Sequence, residues 1–229
     1  MTAALDQEMK SFLFDLKRNH LFLTLEARIK NPASKRSRPR SETLLSAYVT
    51  LTCGRFESFL KRSFHECAGE LNQRFPDAKD DRLGQQFYWN NLNGFINWSS
   101  RAKGIDRIEM ISMIENYTSA VAGGNIHPKS FDSTDANPNA ETLKKMFNRF
   151  GVADPIQKLA SNYSDTLNRT FSKSLIESNL NTFVRRRNQA AHEGRISGAT
   201  RVDIQGDHVF VVGIAAAVKD VLTSHIAAL

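Results

Sequence analysis

Between Phe183 and Gly194 the chain reads Phe-Val-Arg-Arg-Arg-Asn-Gln-Ala-Ala-His-Glu-Gly, which packs guanidinium, amide and imidazole groups into one short stretch. Imidazole exchanges protons near neutral pH. Guanidinium holds a phosphate through two parallel hydrogen bonds and stabilises negative charge that develops on it. Arginine plus histidine, with no metal ligand needed, suits cleavage of RNA by its own 2′-hydroxyl. At ~100° per residue on a helix, Asn188 and His192 are neighbours at i, i+4, and Arg185, seven before His192, lies on nearly the same face. Arg187 points about 140° away from His192 at that rotation, so helical geometry alone leaves open which arginine works with the histidine. The plainer account is a basic last turn that merely complements the negative end of the helix macrodipole.

Spacing alone does not decide between them, because composition alone predicts a bare Arg-x4-His roughly 0.5 times in a chain of this size. The longer string Arg187-Asn188-Gln189-Ala190-Ala191-His192 is more specific. It resembles the Arg-x(4–6)-His signature of the HEPN superfamily (higher eukaryotes and prokaryotes nucleotide-binding domains), in which a polar residue commonly follows the arginine. An earlier Phe-Glu-Ser-Phe-Leu string, Phe56 to Leu60, fits the first core helix of that fold. The resemblance covers about 41–75 and 139–229, with 1–40 and 76–138 as elaborations of a single domain spanning 1–229.

The resemblance implies a metal-independent endoribonuclease of the stand-alone prokaryotic toxin or anti-phage type, a homodimer whose two motifs share one cleft. His192 is then the proton-transfer group, Arg187 the transition-state stabiliser, and Asn188 the residue that orients histidine or phosphate. Glu57 matches a position where family members often hold a carboxylate near the motif, and pairing with Arg187 is expected; an exposed glutamate beside Arg55 and Lys61 is the alternative. Arg185 and Arg186 also satisfy the permitted spacing and are expected otherwise to contact RNA. The implied partners are RNA, a second copy and an antitoxin or defence protein, and no cofactor. A non-catalytic domain of the same fold, binding nucleic acid or protein as a sensor or scaffold, is the rival reading.

The motif needs a helix to carry it. Leu175, Ile176, Leu180, Phe183 and Val184 recur at helical spacing, predicting a helix from about Lys173 to His192 that Gly194 stops. A second strong pattern, Leu45, Val49, Thr52, Phe56, Phe59, Leu60, Phe64, Cys67 and Leu71, predicts a helix of about 30 residues from Ser41 at the centre of the core. Leu5, Met9, Phe12, Leu13, Leu16, Leu23 and Ala27 predict an N-terminal helix from about Ala4 to Lys30, ended by Asn31-Pro32.

Two further helices are expected between Arg82 and Gly124, followed by a polar loop. A short helix, opened by Asn137-Pro138, runs to Gly151. Alternation of Val202, Ile204, Val209 and Val211 around Gln205-Gly206-Asp207 predicts a small β-hairpin, and Ile214 to Leu229 a closing helix. The fold class is thus all-α, a HEPN-like helical bundle with an added N-terminal helix, a helical insertion and that hairpin.

Ser34 to Arg40 carries Lys35, Arg36, Arg38 and Arg40 with no apolar side chain to bury, so it reads as an exposed linker and the best secondary RNA contact. The chain has 229 residues and a formal net charge of +7, which favours phosphate-bearing or acidic partners. No Gly-rich phosphate loop, Gly-x-Ser-x-Gly elbow or zinc-ligand spacing occurs. No run approaches the roughly 20 apolar residues that span a bilayer, and Met1 to Lys10 lacks a signal-peptide core, so a cytoplasmic protein is expected. Cys53 and Cys67 lie about 21 Å apart along one helix at ~1.5 Å per residue, beyond disulfide reach, and are expected to be buried thiols.

Overall fold

The computed structural model describes residues 2–74 and 137–229, with isolated positions 96, 108, 111, 114 and 115 between them. The described elements are α1 (Thr2–Ala27), α2 (Arg38–Arg74), α3 (Ala140–Arg149), α4 (Pro155–Leu167), α5 (Lys173–Glu193) and α6 (Arg201–Ala228). The two helices and the polar loop expected between Arg82 and Asn137 fall almost wholly outside the described residues.

α2 is the axis of the bundle, as its long apolar stripe predicts. It buries Leu45, Val49, Phe56, Phe64 and Leu71 among other side chains. α1 lies along it through Leu5, Phe12, Leu16 and Leu23, each 3% exposed or less, so the N-terminal helix is part of the core. Phe64 meets Phe147 of α3 edge-on at 5.0 Å and Phe150 at 5.3 Å. Burying each such ring is worth about 1.5–3 kcal/mol. Cys53 and Cys67 are free and buried on α2, and burial pushes both thiols up to about 12.

Two helix starts and one whole helix in this part of the bundle differ from the sequence pattern. α2 begins at Arg38, inside the basic run, because Pro39 suits a first helical turn and Arg38 Nε reaches Glu42 Oε1 one turn on at 2.8 Å. The linker is therefore the short turn from Arg28 to Ser37, with Asn31 at φ 49°. At α3 the cap is Asn139, whose Oδ1 accepts from Thr142 N at 2.8 Å, and the helix starts two residues later than Asn137-Pro138 implies. α4 is an additional helix, opened by Pro155 and packed through Ile156, Leu159, Ala160 and Tyr163.

The expected β-hairpin is a helix. Thr200 caps α6 in a reciprocal box with Asp203, and the helix runs unbroken through Gln205-Gly206-Asp207. The alternation of valine and isoleucine is two helical stripes superposed. Ile204 and Val211, seven apart, are fully buried, while Val202 and Val209, also seven apart, are 75% and 56% exposed. Period two and period 3.6 share those positions, and the box chemistry selects the helix.

α6 crosses the other helices through Val211, Ile214, Ala215, Val218 and Leu222. By length and composition it could cross a membrane, yet half of its most apolar window is buried inside the bundle. It approaches α4 tightly: a Cβ built on Gly213 would stand 2.4 Å from Tyr163 Cε2.

Candidate active site

α5 begins at the Ser172 cap, whose hydroxyl accepts from Leu175 N, and ends at Gly194, which takes φ 67° and donates its N–H to Ala190 O. Ile176, Leu180, Phe183 and Val184 fix the helix on the core. That anchoring dictates where the polar residues of the last turns go, and the three arginines separate.

Arg185 is exposed. Together with Asn188 and His192 it lines an open depression of about 580 Å³, walled on the far side by Ile196 to Ala199. His192 lies exposed in the last turn of α5 and, among the described residues, makes no hydrogen bond or ion pair that would occupy its ring nitrogens. Arg186 also borders the depression, but its Nη1 donates to Asp207 Oδ1 of α6 at 2.6 Å, with Asp203 Oδ1 3.8 Å from Nη2. Burial raises the Asp207 carboxyl above the usual carboxylate range, and Arg186 pulls it partly back.

Arg187 is half-buried and turned toward α2, where its charge acts on the Cys53 thiol. Its Nη1 donates to Asn188 Oδ1 at 3.2 Å, and the same oxygen accepts from Asn137 Nδ2 at 3.0 Å. Asn188 thus joins Arg187 to the wall of the depression, and among the described residues no carboxylate pairs with this guanidinium. Arg187 stays off the face of His192, and the Asn188 amide that it bonds lines the same depression as that histidine.

Glu57 does not pair with Arg187. Its Oε1 lies 2.8 Å from Lys61 Nζ, one turn along α2, because an i, i+4 partner on the same helix is the nearer cation. Glu57 and Arg187 nonetheless flank Cys53, the glutamate raising that thiol and the arginine lowering it. Lys35, Arg36, Arg38 and Arg40 are all exposed, at the turn before α2 and in its first turn, away from the depression they do not line.

Two residues that shape the site escape a reading of the motif alone, Asp207 and Asn137. Asp203 and Asp207 are one turn apart on α6, and a helical reading of 200–211 places both on one face opposite α5. Asn137 leaves no comparable signal, since it approaches Asn188 from before α3. One residue beyond Asp207, His208 Nδ1 and the Tyr48 hydroxyl share a hydrogen bond. Burial, with His20 nearby, lowers the imidazole, and burial raises the phenol to about 12. The neutral pair is a structural strut between α2 and α6. Among the described residues no three His, Cys, Asp or Glu side chains gather where a cation could be held.

Comparison with curated proteins gives no match, and neither does comparison with solved structures. A family model does match, that of RiboL-PSP-HEPN, over residues 16–224. The match takes in the last part of α1, all of α2 to α5 and nearly all of α6, so with the all-helical bundle and the motif carried on α5, the chain belongs to the RiboL-PSP-HEPN family.

Proposed function

We propose that this protein is a metal-independent endoribonuclease that cleaves RNA by attack of the 2′-hydroxyl, and that it acts as a toxin or anti-phage effector. The observation that carries the reading is the depression at the end of α5, where an imidazole unengaged among the described residues, an exposed guanidinium and an amide tied to a second guanidinium converge. His192 exchanges the proton of the 2′-hydroxyl or of the leaving 5′-oxygen. Arg187, held by Asn188 and free of any carboxylate partner among the described residues, stabilises charge on the phosphorane-like transition state. Arg185 binds a flanking phosphate. Arg186 is consumed by Asp207 and serves the fold.

Each chain supplies one such set, and the depression is open, so two copies facing each other complete the cleft. Purified protein incubated with RNA in excess EDTA should release fragments ending in a 2′,3′-cyclic phosphate and leave DNA intact. Light scattering of the active species should give about twice the 25.8 kDa of one chain. A mass of one chain with activity retained removes the shared cleft, and no cleavage of any RNA moves the protein to a binding role.

A further inference from the structure

Behind the Ile196–Thr200 segment lies a second cavity, of about 550 Å³, between the end of α1, the start of α2 and the start of α6. Gly198 and Ala199 wall both this cavity and the depression over His192, so occupants of the two would be neighbours. The volume is that of a small-molecule site.

Its charges cancel in pairs. Arg38 is held by Glu42 at 2.8 Å, and Arg201 Nε stands 3.8 Å from Glu26 Oε2. The cavity therefore has no net preference for an anion, unlike the arginine-rich depression beside it. Ile29, Pro32, Leu45 and Val202 supply apolar walls suited to the faces of a flat ring.

The carboxylate is fixed. Glu26 is only 4% exposed, and its Oε1 accepts from the Ser41 hydroxyl at 2.7 Å. Arg201 Nε is buried and has no hydrogen-bond acceptor among the described residues. A carboxylate edge thus stands beside the guanidinium of Arg201, whose side chain is 38% exposed and lines the cavity. Among the RNA bases only guanine presents two adjacent N–H donors, N1–H and the 2-amino group, next to a carbonyl acceptor. Adenine and cytosine offer one amino group each, and uracil one N–H between two carbonyls.

We infer that this cavity is a guanine subsite, with Glu26 accepting from N1–H and the 2-amino group and Arg201 donating to O6. It places the base beside the phosphate that the depression receives, so its role in substrate choice rests on the ribonuclease reading, while base binding itself does not.

The test is calorimetric titration of the full chain with 5′-GMP, 5′-IMP and 5′-AMP in EDTA, repeated on Glu26→Gln after its thermal melt confirms folding. The three nucleotides share one phosphate, so their differences report the base. GMP should bind about 10-fold or more tighter than IMP, which lacks the 2-amino donor, and than AMP, the scale of one hydrogen bond to a charged group. Glu26→Gln should bring GMP down to the level of AMP. Should Glu26→Gln fail to fold, the comparison of nucleotides on the parent protein decides alone. Equal affinity for the three nucleotides, no binding of any, or GMP binding unchanged in Glu26→Gln overturns the subsite. GMP selectivity without RNA cleavage leaves the subsite and removes the ribonuclease; cleavage with no GMP preference does the reverse.

Discussion

Asp207 on α6 holds Arg186 on α5 at 2.6 Å, and this pair divides the labour among three consecutive arginines. The side chains of Arg186 and Asp207 are 21% and 12% exposed, so the pair is largely withdrawn from water. Arg186 ties the motif helix to the helix that follows it. Arg185 and Arg187, one on either side, have no carboxylate partner among the described residues.

Arg186→Ala should destabilise the fold by about 1–3 kcal/mol, since removing one partner leaves a buried carboxylate uncompensated. The effect should depend on pH in a definite direction. Burial already raises Asp207 and Arg186 opposes that, so without the arginine the folded-state pKa rises further above the unfolded value. The folded protein then holds the Asp207 proton more tightly than the unfolded chain does, and acid favours folding through this group. Urea titrations should show the largest deficit near neutral pH and a smaller one as pH falls into the carboxylate range. A deficit that grows on acidification contradicts the pairing.

Gly213→Ala tests the packing of α6 on α4. Alanine would gain about 1 kcal/mol of helix propensity over glycine, but its Cβ would stand 2.4 Å from a ring atom of Tyr163. Tyr163 is 3% exposed and packed edge-on to Phe171 at 4.6 Å, so it has little room to yield. Overpacking should win by a net of about 1–3 kcal/mol, read as a lower midpoint in thermal unfolding. A midpoint unchanged or raised shows the helices separating at no cost.

The exposed residues Lys35, Arg36, Arg38 and Arg40 should neutralise phosphates outside the cleft. Replacing all four by uncharged residues should weaken RNA binding and lower the salt slope of log affinity by about 0.7 for each single-strand phosphate no longer neutralised. Arg38 should contribute least, because Glu42 already engages it. An unchanged slope in fluorescence-anisotropy titrations returns the segment to a plain turn.

The helix that carries the motif was legible because its apolar residues, Ile176, Leu180, Phe183 and Val184, repeat with one period and its stop is a glycine. At the start of α6 the opposite holds: Val202, Ile204, Val209 and Val211 satisfy two periods at once, and Gln205-Gly206-Asp207 has the composition of a turn although it is helical. Within the site, His192, Asn188 and the arginines could be named from their order. Their partners could not, because Asp207 and Asn137 arrive from other parts of the chain. Glu57 shows the limit from the other side: Lys61 was legible as its neighbour, and this i, i+4 pair forms in place of the pairing with Arg187 that the resemblance implied.

The assignment of the chemistry to His192 and Arg187 is tested most directly by the rate of RNA cleavage in excess EDTA for the parent, His192→Ala, Arg187→Ala and Arg185→Ala proteins. His192→Ala and Arg187→Ala should each lower the rate by a factor on the order of 10²–10⁴, the scale of a positioned proton-transfer or charge-stabilising group. For His192→Ala, circular dichroism and mass should match the parent, since His192 is exposed and bonded to nothing among the described residues. Arg185→Ala should have a smaller effect, mainly through weaker binding. Cleavage by His192→Ala at the parental rate, or abolition of cleavage by EDTA, would contradict the mechanism.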